Sequence, residues 1–163
     1  MPSTSVNALH LSMRLYLDTS VFGGYFEPEF EKWTRMLFDT MVERGDVFLI
    51  STVVLTELEK APPRVRELFV RTVAPRMELI ERADQAVALA ERYVTEKVVG
   101  RSSMADCQHI AIATLALADS LVSWNFKHIV NVPRIRGYNS VNMRMGYRLL
   151  EIRTPLELMS HGE

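Results

Sequence analysis

A chain of 163 residues with 48% hydrophobic and 24% charged side chains, seven glycines and seven prolines, has the makings of one globular domain. It leaves no room for a fibrous repeat or a long flexible linker. With 19 Lys and Arg against 20 Asp and Glu the formal charge is -1, and the mean hydropathy of +0.02 is far from that of an integral membrane protein. Cys107 is the only cysteine, which excludes an internal disulfide and makes a reducing, cytoplasmic setting the expectation; the opening residues carry no signal-peptide pattern.

The charge is unevenly spread. Residues 1–119 carry 13 basic and 17 acidic side chains, whereas residues 120–163 carry 6 and 3, so a weakly acidic body ends in a basic portion. Such a portion suits either an ordinary solvated surface or contact with a polyanion.

Taken in chain order, residues 1–13 read as a polar extension expected to be disordered, and the rest as one domain. Leu15-Tyr16-Leu17 is a short buried strand ending at Asp18-Thr19-Ser20, and Gly23-Gly24 marks a turn. Phe30, Trp33, Met36-Leu37 and Met41 recur at helical spacing, so a helix is expected from about Glu29 to Arg44, stopped by Gly45. Val47-Phe48-Leu49-Ile50 is a continuous apolar run of the kind found in a sheet covered on both faces. Ser51 or Thr52 can cap the next helix, which carries Glu57 and ends at Pro62-Pro63, and another short helix is expected from Arg64 to Val73.

Met77 to Ile80 is a third strand, followed by a helix after Asp84. Ser102-Ser103 turns the chain into an alanine-rich helix from Met104 to about Leu117. Leu121-Val122-Ser123 is the fourth strand. Beyond it the pattern weakens: His128 to Val130 reads as one helical turn, Pro133 and Gly137 as breakers, Leu149 to Ile152 as an edge strand, and Pro155 as the start of a final helix. Strands alternating with helices predict a three-layer α/β/α domain with a mostly parallel sheet, whose function lies at the carboxyl ends of the strands.

Three acids stand at a strand end or in the helices that follow strands. Asp18 directly follows a buried strand, a costly position for an unpaired charge unless it caps the next turn. Glu57 lies in an otherwise apolar helical segment. Asp106 opens a helix whose stripe continues through Ile110, Ala113 and Leu117, although an acid there also complements the helix dipole. Carboxylates drawn from separate elements onto one cleft edge can hold a hard divalent cation, which in turn can promote attack on a phosphodiester.

Four segments carry a resemblance. Tyr16-Leu17-Asp18-Thr19-Ser20, then Ser51 to Leu58 (STVVLTEL), Ala105 to Ala113 (ADCQHIAIA) and Leu121 to Ile129 (LVSWNFKHI) resemble the motifs of PIN domains, the metal-dependent nucleases best known as VapC-type toxins of toxin–antitoxin pairs. The resemblance spans nearly the whole chain. It implies that Asp18, Glu57 and Asp106 bind Mg²⁺ or Mn²⁺ and are catalytic, with Ser20 and Asn125 in support. It further implies cleavage of single-stranded or structured RNA, a homodimer, and a small antitoxin protein as partner. One departure stands out: where the family usually reads Thr-x-Asp, this chain has Ser123-Trp124-Asn125, which contributes no charge. A metal-dependent endoribonuclease is therefore the main expectation, and a catalytically weak or inactive RNA- or protein-binding domain the alternative.

Lys127, Arg134, Arg136, Arg144 and Arg148, interleaved with Tyr138 and Tyr147, form the basic set expected to hold RNA. Phe22, Tyr25, Phe26, Phe30 and Trp33 combine core positions with a possible protein-contact patch. His109 reads as a packing residue, Cys107 as a small core side chain, and no zinc spacing or phosphate-binding glycine loop is present.

Overall fold

The computed structural model describes residues 12–160, so His10, His161 and most of the predicted N-terminal extension lie outside the described residues. Met13 is part of the packed domain: its backbone N–H donates to Asp46 Oδ1 at 2.8 Å and its side chain rests against the core.

Five strands, β1 (Arg14–Leu17), β2 (Val47–Ser51), β3 (Met77–Ile80), β4 (Ser120–Val122) and β5 (Ile152–Arg153), form one parallel sheet in the order β3-β2-β1-β4-β5. The central strands have continuous apolar runs because both faces are covered. Tyr16, Leu17, Phe48, Leu49, Ile50, Leu121 and Val122 are all buried. Each such aliphatic or aromatic side chain contributes about 1.5–3 kcal/mol by leaving water.

The strand order dictates the layers. From β1 the chain steps to β2 and β3 in one direction, then returns past β1 to β4 and β5 in the other, and right-handed crossovers place the two sets of helices on opposite faces. The first set is α1 (Thr19–Gly24), α2 (Glu31–Arg44), α3 (Thr52–Leu58) and α4 (Pro63–Leu68), against which the terminal α8 (Pro155–Ser160) packs through α2. The second set is α5 (Asp84–Thr95), α6 (Met104–Leu115) and α7 (Val132–Arg144), which pack through α5. The reversal between β1 and β4 opens a crevice at their carboxyl ends, the place where such sheets bind ligands.

The predicted turn at Gly23-Gly24 and the predicted breakers Pro133 and Gly137 are helical instead. Gly23-Gly24 closes α1, and Gly24 is glycine because a Cβ there would lie 2.7 Å from the Trp124 indole. Pro133 sits in the first turn of α7, where its missing N–H costs nothing, after an Asn131 cap whose Oδ1 accepts from the Arg134 N–H. Gly137 lets α7 approach Val98, whose Cγ1 would be 2.7 Å from an added Cβ. The helix expected from Arg64 to Val73 is α4 followed by a wider turn over Phe69–Val73. The edge strand begins at Ile152 rather than Leu149.

Candidate active site

Asp18 emerges from β1 into the crevice and is 3% exposed. Its backbone N–H bonds Val122 of β4, and both carboxylate oxygens are occupied: Ser20 Oγ donates to Oδ1 and Ser123 Oγ to Oδ2, each at 2.6 Å. The two serines are themselves held. Ser20 Oγ accepts from the Trp124 N–H at 2.9 Å, and Ser123 Oγ from the Asn125 N–H at 2.9 Å. Charge-assisted bonds of this kind stabilise the carboxylate, yet burial dominates and pushes the Asp18 pKa up.

Trp124 fixes the loop after β4. Its indole N–H donates to Thr34 Oγ1 of α2 at 2.9 Å and its ring stacks on Phe30 with centroids 4.4 Å apart. The loop thereby aims Asn125 at α6. Asn125 Nδ2 donates to Asp106 Oδ1 at 3.2 Å, while Asn125 Oδ1 accepts from the His128 N–H at 3.0 Å. The amide thus bridges an acid and a backbone donor, a task for which an aspartate would lack the proton. Burial also raises the Asp106 pKa, against the opposing influence of His109, His128 and the Asn125 bond.

Glu57 is held from the opposite wall. His109 Nε2 lies 2.8 Å from Glu57 Oε1, and His109 Nδ1 lies 2.7 Å from the Tyr16 hydroxyl, which is 2.7 Å from Ser51 Oγ. Ser51 also caps α3 by accepting from the Val54 N–H. A buried line of polar groups therefore runs from the start of α3, through β1 and α6, back to the glutamate of α3. Burial works against charge on both partners, but their contact prevails: the Glu57 pKa is lowered and that of His109 raised, each shift favouring the charged form. His109 is surrounded by the charges of Asp18, Glu57 and Asp106, all of which favour its protonated form.

Asp18, Glu57, Asp106, Ser20 and Asn125 are thus gathered at one crevice, with His109, Tyr16, Ser51 and Ser123 added to them. The added residues had sequence signals. In a strand, residues two apart share a face, so Tyr16 and Asp18 point the same way, and a buried tyrosine hydroxyl requires a partner. On α6, His109 is three residues after Asp106 and shares its side of the helix. Burial lifts the Cys107 thiol to about 12, so that side chain is inert packing as expected.

The fit to a cation is poor in this arrangement. Among the described residues no three His, Cys, Asp or Glu side chains are placed to hold one metal ion, and each of the three acids faces a protein donor instead.

The basic set is dispersed. Arg148 borders a pocket with Asp119 at the start of β4, the end of the sheet remote from the carboxylates. Arg144 forms an ion pair with Glu96 of the α5 terminus at 2.5 Å, and Arg134 donates to the Val98 carbonyl. Arg136 is exposed on α7, and Lys127 is exposed just beyond Asn125. A cation absent from that set borders the site: Arg82, after β3, shares an open cleft of about 670 Å³ with Glu57. The strand-end logic that singled out Asp18 applies equally to β3 and would have found it.

No family profile and no curated protein matches this sequence. Solved structures do. The chain is similar to one in the crystal structure of VapBC2 from Rickettsia felis bound to a DNA fragment from their promoter, at 17% identity and a TM-score of 0.55, covering 87% of this chain and 98% of that one. It is similar also to a chain of FitAcB from Neisseria gonorrhoeae, at 12% identity and a TM-score of 0.58, covering 86% and 97%. No helix among the described residues is long and apolar enough to cross a membrane. By fold, this chain is a PIN-like α/β/α domain, similar to the matched chains of VapBC2 and FitAcB.

Proposed function

We propose that the chain is an RNA-binding PIN-like protein of the toxin–antitoxin kind, whose carboxylate site is weak or inactive as a nuclease in the arrangement described. The observation that carries this reading is that every acid is engaged by a protein donor: serines on both Asp18 oxygens, His109 on one oxygen of Glu57, and Asn125, in place of a fourth carboxylate, on one oxygen of Asp106. Phe126, 52% exposed beside Trp124 and Asn125, offers a face on which an unpaired base can stack, and Lys127 adjoins it. The likeness to VapBC2 and FitAcB supports a small antitoxin protein as partner and a homodimeric assembly.

Metal-dependent hydrolysis of RNA phosphodiester bonds is the second reading, with Mg²⁺ or Mn²⁺ held by Asp18, Glu57 and Asp106. It is favoured by a separate observation: the negative charge of Asp106 bears on Asp18 and that of Glu57 on Asp106, a crowding that a cation would relieve.

The experiment is incubation of a mixed single-stranded RNA pool with purified protein over a range of Mn²⁺, with Asp18→Asn prepared identically. RNA retained by the protein with negligible cleavage supports the first reading. Cleavage by the wild type that is lost in the variant replaces it with the second, and failure to retain or cut RNA refutes both.

A further inference from the structure

The cleft beside Glu57 runs between α3 and α6 and is lined by Thr52, Thr56, Glu57, Glu81, Arg82 and Gln108, among others. Arg82 is its single cation among the described lining residues. Several arginines elsewhere in the domain are paired with acids: Arg14 with Glu78, Arg101 with Glu91, Arg144 with Glu96. Arg82 makes no ion pair among the described residues. Its Nη1 donates to the Gln108 side-chain oxygen at 3.3 Å, a neutral acceptor rather than a carboxylate.

Gln108 is half-buried on α6, two residues after Asp106. With its oxygen turned to Arg82, its amide N–H groups remain as donors. Two kinds of donor, a charged planar fork and a neutral amide, thus stand together in the cleft that Glu57 borders. That chemistry suits the non-bridging oxygens of a phosphodiester, which accept bidentate bonds from a guanidinium.

We infer that Arg82 and Gln108 form a backbone-phosphate subsite, by which an RNA strand passing the carboxylates lies along the α3–α6 cleft rather than along α7. This rests on the RNA-binding reading above. Glu81, also in the cleft, opposes the phosphate and moderates the affinity. The fork geometry matters as well as the charge, so lysine at position 82 is a partial substitute only.

The test is fluorescence anisotropy of a short fluorescein-labelled mixed-sequence single-stranded RNA with the full-length protein in EDTA, titrated at several salt concentrations. Arg82→Gln weakens binding about fivefold at low salt and makes the salt dependence shallower by about 0.7 in the log–log slope, the share of one phosphate contact. Arg82→Lys keeps the slope but not the full affinity, Gln108→Ala loses about twofold to threefold, and Glu81→Gln tightens binding about twofold. Arg76→Gln, at the other end of β3, controls for net charge, and circular dichroism confirms that each variant is folded. Wild-type affinity in Arg82→Gln, or an equal loss in Arg76→Gln, overturns the subsite while the RNA-binding reading stands. No binding by the wild type overturns both.

Discussion

Asp18→Asn should make the metal-free protein more stable. The wild-type carboxylate is 3% exposed, near the like charge of Asp106, and compensated by two serine hydroxyls and the more distant His109. Taking a carboxylate out of water costs several kcal/mol, of which two charge-assisted bonds return about 1.5–3 kcal/mol each. Asparagine avoids the charge penalty, keeps one serine donor on Oδ1 and can offer Nδ2 to the other serine oxygen through neutral bonds of about 1 kcal/mol. The expected net gain is about 1–2 kcal/mol, or about 2–8 °C in Tm for a domain of this size. Its pH dependence has a definite sign. Burial raises the folded-state pKa of Asp18 above its unfolded value, so the native state binds the proton more tightly and wild-type stability falls as pH rises from the ordinary carboxylate range through the folded pKa. The gap between variant and wild type is therefore widest near neutrality and closes toward about pH 4. Differential scanning fluorimetry in EDTA across pH measures it. A variant Tm equal to or below the wild type at neutral pH, or a gain that persists undiminished in acid, refutes the reasoning.

Tyr16→Phe removes the hydroxyl joining Ser51 to His109 in the buried interior, leaving polar atoms without partners, and urea unfolding should show a loss of about 2–4 kcal/mol. A change within error would mean that the two partners find each other without it. Gly24→Ala places a methyl 2.7 Å from the Trp124 ring; the overpacking cost of about 1–3 kcal/mol exceeds any helix-propensity gain and lowers Tm accordingly. Asn125→Asp exchanges the donor to Asp106 for a like charge, costing about 1–2 kcal/mol in EDTA. Added Mn²⁺ should then raise the Tm of this variant more than that of the wild type, and an equal response would place residue 125 outside any cation's reach.

Much of the architecture was legible because it follows from local chemistry. Apolar runs such as Val47 to Ile50 fit only a sheet covered on both sides, and Ser51 announces the helix it caps. The acids at the ends of β1 and the start of α6 were visible for the same reason: a charge directly abutting a buried segment needs a purpose. What misled were glycine and proline. Both are read as breakers on intrinsic propensity, but Gly24 and Gly137 sit in helices because Trp124 and Val98 press against them, and Pro133 occupies the one turn where a proline is tolerated.

The site divides the same way. Sequence alone determined which acids stand at a strand end or on the adjoining helices, that Asn125 brings no charge, and that the chain alternates strand and helix into a parallel sheet. Only the tertiary structure decided what those acids do with their lone pairs. Ser123 reaches Asp18 across 105 positions, His109 reaches Glu57 across 52 and Tyr16 across 93, and Arg82 meets Gln108 across the cleft. Such pairings depend on the strand order β3-β2-β1-β4-β5, which sets β1 beside β4 and turns the ends of three strands toward one crevice. No periodicity encodes that order, because hydrophobic patterning specifies which face of an element is buried but not which distant element buries it.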